Sequence, residues 1–174
     1  MTQVSANEAM RLKRLVFYAQ DVERFQTVLA GFLRKSGASS ASLIDTEGHL
    51  VARQGLKNQG DPNALAALVA GSFASTRQVA KLLGESDFTS QAHAGKDTSI
   101  HITLIGRRTL QVAVFPASIK PGMVAVFCKE LAQQIGAILT EAESRPESAA
   151  PATPIDGGYT QAMKSQLDDL FGDL

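Results

Sequence analysis

The sequence predicts an α+β domain, a five-stranded antiparallel sheet with helices on its faces, and three observations carry that prediction. Apolar residues recur at spacings of three and four in three separate stretches, within 22–33, 65–83 and 124–139, which is the period of a helix with a buried face. Two pairs of short segments, within 41–52 and 99–115, are instead apolar or alternating and are interrupted by polar turns. The order is helix, two strands, helix, three strands, helix, and a chain without βαβ alternation builds an antiparallel sheet.

The first helix is predicted from Gln20, with Val22, Phe25, Val28, Leu29, Phe32 and Leu33 on its inner face, Asp21 as cap and Ser36-Gly37 as stop. Ala41-Ser42-Leu43-Ile44 then meets Asp45-Thr46-Glu47-Gly48, a polar turn whose glycine takes positive φ, before His49-Leu50-Val51-Ala52: a hairpin. Asp61-Pro62 is a cap followed by a proline at the first helical position, so a long helix opens there and runs to about Leu83, where Gly84 stops it. Phe88 to Ala94 is a candidate strand. Ser99 to Ile105 and Thr109 to Phe115 alternate around Gly106-Arg107-Arg108 and form a second hairpin. Beyond Pro121-Gly122, Val124, Phe127, Cys128, Leu131, Ile135, Ile138 and Leu139 restore helical spacing.

Composition bounds the function classes. The chain has 174 residues and equal numbers of basic and acidic side chains, 17 each, which argues against a protein built to coat nucleic acid or a membrane. The balance conceals an asymmetry: residues 1–140 hold 15 basic and 10 acidic side chains, and residues 141–174 hold 2 and 7. No run approaches the ~18 to 20 consecutive apolar residues of a membrane helix, and the single cysteine, Cys128, forms no internal disulfide, so the expectation is a cytoplasmic protein without membrane insertion. Four segments follow: a basic polar leader over 1–14, the folded domain over 15–141, a linker over 142–159 rich in Pro, Ala, Ser and Glu, and an amphipathic tail helix over 160–174. In the tail, Met163, Leu167, Leu170 and Phe171 share one face among Asp168, Asp169 and Asp173.

Two constellations bear on chemistry. On the second helix, Leu65, Leu68, Val69, Ser72, Thr76, Val79 and Leu83 share the face expected to meet the core, and Ala67, Ala70, Gly71, Ala74, Gln78 and Lys81 the opposite one. An outward face is normally charged, so one reduced nearly to backbone predicts close approach by a twin helix or a partner; the competing reading is burial under the chain's own loops. His49, His93 and His101 fall on separate elements with no acidic residue at metal-ligand spacing, so no metal and no catalytic residue is assigned. No G-x-x-x-x-G-K-[ST] loop occurs, so no nucleotide or other cofactor is assigned, and Arg77, mid-helix, is read as solubilising and not as an arginine finger.

Leu15-Val16-Phe17-Tyr18, the hairpin Leu43 to Gly48, the helix strings Leu65 to Gly71 and Ala80 to Glu85, then Phe88, His93 and Ile105-Gly106-Arg107 occur in an order that resembles the roadblock/dynein light chain family, and within it the bacterial MglB group, partners of the small Ras-like GTPase MglA. Asp168-Asp169-Leu170-Phe171 is similar to the acidic tail of that group. The longer leader, and Gln78 where the group tends to have a small residue, depart from it. The resemblance implies a roadblock/profilin-like fold and a homodimer in which second helices pair and sheets join. It also implies action on an MglA-type GTPase in its GTP-bound form, promoting hydrolysis without an inserted arginine, in bacterial polarity or motility, with a cell pole as a possible location; a role in nucleotide exchange stands beside hydrolysis in the expected function. A non-catalytic scaffold is the competing class, and a small-molecule sensor a third.

Overall fold

Each helix begins where a side chain or a proline deals with the amides that a first turn leaves over. A computed structural model describes residues 17–55 and 60–144. Helix α1 covers Ala19–Ser36. Asp21, expected as its cap, is instead the third helical residue and fully buried: its carboxylate accepts the Tyr18 amide at 3.0 Å while its own amide donates to the Tyr18 carbonyl at 2.9 Å. That reciprocal pair makes Tyr18 the cap and closes the helix entry three residues earlier than a cap at Asp21 would. Helix α2 covers Pro62–Leu82, and here Asp61 is the cap, its Oδ1 accepting the Asn63 amide at 2.9 Å. Helix α3, Pro121–Glu143, likewise starts on a proline.

Five strands, β1 Ser40–Asp45, β2 Leu50–Gly55, β3 Ser90–Ala94, β4 Thr98–Ile105 and β5 Thr109–Pro116, form one sheet in the order β2-β1-β5-β4-β3 with every pairing antiparallel. Both predicted hairpins are present. Gly48 takes φ +95° at the β1–β2 turn, and that turn lies so close to α2 that a Cβ on it would sit 3.0 Å from the Ala67 Cα. Gly55, at φ +104°, ends β2 against Ser39 and Ser40, where a Cβ would meet backbone atoms at 2.4 and 2.6 Å.

The sheet divides two cores. On one face α1 and α3 bring Phe25, Leu29, Phe32, Cys128, Leu131 and Ile135 against Leu43, Ala113 and Phe115. Edge-to-face ring pairs, Phe17 with Phe25 and Phe32 with Phe115, orient the aromatics there. By length and composition α3 would also pass for a membrane span, which the count of consecutive apolar residues does not suggest; its apolar side packs on the sheet. Burial pushes the Cys128 thiol up to about 12, so it stays protonated and behaves as a small apolar core residue.

On the other face α2 is the one element among the described residues that covers Ile44, Ile102, Leu110 and Val112, and it does so in an orientation other than the predicted one. Its inward residues are Ala66, Val69, Ala70, Phe73 and Ala80. Of the residues expected at the core only Val69 is buried; Leu65, Ser72 and Thr76 are half-buried, and Leu68, Val79 and Leu83 are exposed. Ala70, expected on the outer face, is turned inward and 6% exposed. Phe73 sets the rotation: it is the largest side chain of the helix and fills the space above β4 and β5, while alanines on either side let the backbone approach the sheet. The leader, the linker and the tail helix with Met163, Leu167, Leu170 and Phe171 lie outside the described residues.

His101 on β4 gives the fold a pH dependence. Burial holds its imidazole below the ordinary 6.5, and its Nδ1 lies 3.3 Å from the Thr103 hydroxyl. The unfolded chain takes a proton near 6.5 where the folded one resists it, so stability is full above 6.5 and declines as pH falls through the lower folded value. A thermal midpoint that drops from about pH 7 to about pH 5, and drops less in His101→Gln, is the expected result.

Candidate functional site

The outer surface of α2 is where side chains depart furthest from what water alone would select. Leu68 is 73% exposed, Val79 48%, Leu82 86% and Leu83 69%. Leu68, Ser75, Val79 and Leu82 follow one another at steps of seven, four and three, which is a single stripe along the helix. The Ser75 hydroxyl within it donates to the Gly71 carbonyl at 3.0 Å, so the stripe makes little demand for water.

Two contacts fix how the flanks of this helix point. Ser72 and Thr76 face β3: Gln91 Nε2 donates to the Ser72 hydroxyl at 3.0 Å, and the Thr76 hydroxyl lies 3.3 Å from Gln91 Oε1. Gln91 Nε2 also stands 2.8 Å from His93 Nε2 on the same strand, and the Gln91 contacts to Ser72 and Thr76 bind the edge strand to the helix. Ala67, on the opposite flank, meets the β1–β2 turn at Gly48. At ~100° per residue Leu68, Val79 and Leu83 fall with Ser72 on the β3 flank, whereas Gly71, Ala74, Gln78 and Lys81 fall with Ala67 on the turn flank. The predicted interface residues are therefore not one surface. Ala67, Gly71, Ala74, Gln78 and Lys81 are exposed together, Ala70 is withdrawn, and the large apolar side chains that sequence reasoning placed in the core form a second surface beside β3.

Strand β3 adds an open edge to that second surface. Among the described residues it is last in the sheet and pairs only with β4, so within them one side of its backbone presents N–H and C=O groups that no strand pairs. Between α2 and β3, Arg77 is held by Asp87, Nε to Oδ1 at 2.9 Å and Nη2 to Oδ2 at 2.7 Å. A two-point grip of this kind fixes a guanidinium in place, so Arg77 is a half-buried strut of the α2–β3 connection and not the simple solubilising residue expected.

The histidines lie apart on the β1–β2 turn, β3 and β4, but the expectation that no acidic residue stands at metal-ligand spacing from any of them fails at His49. Asp45, Glu47 and His49 bring ligand atoms within 4.8 Å of one another. The Asp45 oxygens are already engaged: they accept the Glu47 amide at 3.0 Å, the His49 amide at 2.8 Å and contact His49 Nδ1 at 2.8 Å, while Glu47 pairs with Arg108 at 2.8 Å. Partial burial works to raise the Asp45 carboxyl, yet these bonds and the charge of His49 together hold it below its ordinary 3.8. The group shapes the turn; the four-residue spacing that unites Asp45 with His49 was readable, but only the turn brings Glu47 to them.

Residues 24–115 match the family model described as the Roadblock/LC7 domain, and the match runs from α1 through β5. The chain belongs to the Roadblock/LC7 family. Among solved structures, MglB of Myxococcus xanthus is 28% identical and superposes with a TM-score of 0.69 over 74% of this chain and 96% of that one. The gliding protein MglB of Thermus thermophilus is 34% identical, with a TM-score of 0.67 over 73% and 96%, and a structure described as MglB with tetrameric arrangement is also 34% identical, at 0.69 over 74% and 96%. No curated protein matches the chain. The α2 surface is thus the outer helix of an MglB-like roadblock domain, and the expected αββαβββα order is that of the family.

Proposed function

We propose that this roadblock protein regulates a small Ras-like GTPase of the MglA type in its GTP-bound form, acting as a cytoplasmic homodimer in bacterial polarity or motility, with a cell pole as one place of action, and without catalytic residues of its own. The observation that carries the reading is the pair of dissimilar flanks on α2 in a chain 28 to 34% identical to MglB structures. The Leu68, Val79, Leu83 flank lies beside an open strand edge, so a twin related by a two-fold axis could lay its own α2 alongside and extend the sheet, covering both at once. Ala67, Gly71, Ala74, Gln78 and Lys81 remain outside that seam on both protomers; the first three are low enough for the backbone of a GTPase to approach, and Gln78 and Lys81 beside them can hold its mobile loops in the productive arrangement.

Phosphate release by the cognate GTPase, with and without this protein and with complex formation measured separately, tests the reading. Acceleration supports it; binding without acceleration makes the protein a scaffold. Because Arg77 is gripped by Asp87, Arg77→Ala is expected to leave stimulation within about twofold, whereas loss of an arginine finger removes ~10³ to 10⁵ in rate. Loss of several orders of magnitude with binding intact would reverse the mechanism. The tail residues Met163, Leu167, Leu170 and Phe171 are proposed to recognise the same GTPase, their shared apolar face entering a groove on it. Deletion of residues 160–174 should keep the dimer and weaken GTPase binding, more so at low salt, where the aspartates contribute most. Equal binding by the truncated chain across a salt series would remove the tail from recognition.

A further inference from the structure

The equality of 17 basic and 17 acidic side chains belongs to the chain as a whole, and on the side of the sheet opposite α2 the fold separates the two signs. Three contacts define one end of that side. Lys35, at the close of α1, pairs with Glu130 on α3 at 2.6 Å; Ile119 Cδ1, in the β5–α3 connection, lies 3.1 Å from where a Cβ on Gly37 would be; and the Ala117 amide donates to the Asp97 carbonyl at 3.0 Å, which brings the β3–β4 turn alongside. Arg34, Lys35, Lys96, Lys120 and Lys129 gather there, with Glu130 and Asp97 as the acids among them. Once Lys35 and Glu130 are set against each other, Arg34, Lys96, Lys120 and Lys129 face Asp97. The other end of the same two helices holds Glu23, Glu141 and Glu143, with Arg24 on Glu141 at 2.6 Å. At ~1.5 Å per residue Lys129 and Glu141 stand about 18 Å apart, more than twice the ~8 Å over which physiological salt screens a charge, so the acidic end does not neutralise the basic one.

The cations surround an apolar surface. Of the first six residues of α3, Pro121-Gly122-Met123-Val124-Ala125-Val126, none has a polar side chain and five are exposed, Met123 at 52% and Val126 at 65%. Met123, Val126 and Lys129 follow one another at steps of three along the outer side of the helix, and Lys120 stands at its start. A helix that opens into water ordinarily carries polar or acidic residues in that turn. Apolar side chains ringed by lysines instead suit a bilayer surface: the hydrocarbon enters between head groups, the lysine stems lie along it, and the ammonium groups stay at the lipid phosphates. A nucleic-acid backbone would satisfy the cations and leave Met123 and Val126 without a partner. We propose that this end of the α1–α3 side docks on an anionic lipid surface, with the acidic end turned away from the lipid and α3 still packed on the sheet. Each cation near such a surface strengthens attachment about fivefold and two shallow apolar contacts add little more, so attachment is weak, reversible and sensitive to salt. The docking surface does not rest on the GTPase reading, because α2 lies across the sheet from it.

Co-sedimentation of the full-length chain with vesicles tests it. At about 0.1 M salt, binding to phosphatidylcholine vesicles containing about 30% phosphatidylglycerol is expected to exceed binding to phosphatidylcholine alone by at least about tenfold, and to fall to the neutral level by about 0.5 M. Lys120→Gln together with Lys129→Gln should weaken it about 10- to 30-fold, and Val126→Ser about threefold. All three residues are exposed, so the circular dichroism of these variants should be that of the parent. Arg107→Gln removes an exposed cation from the β4–β5 turn at the other end and should change binding less than about twofold. Anionic vesicles bound no better than neutral ones overturn the proposal. So does binding that survives the loss of both lysines, which then belongs to cations elsewhere, such as those of the leader, or a loss in Arg107→Gln as large as theirs, which then reflects charge without location. Heparin bound through the same lysines, with vesicle binding untouched by Val126→Ser, would assign the surface to a polyanionic partner and overturn the lipid assignment.

Discussion

A chain carrying Leu68→Arg is expected to lose its α2–β3 pairing at micromolar concentration and, with it, most stimulation of the GTPase, while its monomer keeps the circular dichroism of the parent and unfolds at a lower temperature only by the stability that pairing contributed. The reasoning starts from exposure. Leu68 is 73% exposed, so in an isolated domain the change is a surface substitution, and those are usually worth no more than about 0.5 kcal/mol. In a seam the same arginine is a charge buried against a copy of itself. Central apolar contacts cost about 2 to 4 kcal/mol when removed, so the dimer should weaken roughly 30- to 1000-fold. Ala74→Arg supplies the contrast. Ala74 lies on the flank beside the β1–β2 turn, so its arginine should leave the mass unchanged and weaken GTPase binding. Light scattering and phosphate release on both variants separate the flanks. A Leu68→Arg chain with unchanged mass would show that the apolar stripe is not the seam, and an Ala74→Arg chain that binds and stimulates as before would show that the other flank is not the GTPase contact.

Phe73→Ala is expected to have the largest effect on stability. Phe73 is 1% exposed and, with Ile44, Ile102, Leu110 and Val112, makes up most of the core between α2 and the sheet. Phenylalanine to alanine in such a site costs about 3 to 5 kcal/mol, the transfer free energy of the ring plus that of the cavity left behind. Against a total of about 5 to 15 kcal/mol for a domain, that approaches loss of the folded state. The neighbouring inward residues Ala66, Ala70 and Ala80 are too small to collapse into the space. Urea unfolding should show a midpoint lowered by about 1 to 3 M at unchanged slope. Phe73→Leu, which keeps most of the volume, should lose markedly less. A Phe73→Ala loss below about 1 kcal/mol would mean that α2 is seated by something other than this ring.

Most of the architecture is carried by short-range pattern and was legible for that reason. A helix with one buried face declares itself over ten residues, as Phe25, Leu29 and Phe32 do. A hairpin needs only two β segments and a turn such as DTEG whose glycine reaches positive φ, as Gly48 does at +95°. Asp61-Pro62 marked the start of α2 because a cap and a proline act through bonds no more than a few residues away. The family resemblance was legible too, since it lies in the order and spacing of such strings.

By itself the sequence determined the element order, the two hairpins, the antiparallel sheet and the presence of a long helix lacking a charged outer face. Only the tertiary structure decided which way that helix points. Amphipathic reasoning assigns the larger apolar side chains to the inside on the assumption that water is the only thing outside. Leu68, Val79, Leu82 and Leu83 break that assumption, and one ring, Phe73, outweighs them because the space above β4 and β5 has its shape. The same holds for the contacts that define the surfaces. Ser72 and Thr76 reach Gln91, and Ala67 reaches Gly48, across separations that no local period encodes, so the two flanks of α2 exist only once the sheet has set β3 on one side of the helix and the β1–β2 turn on the other.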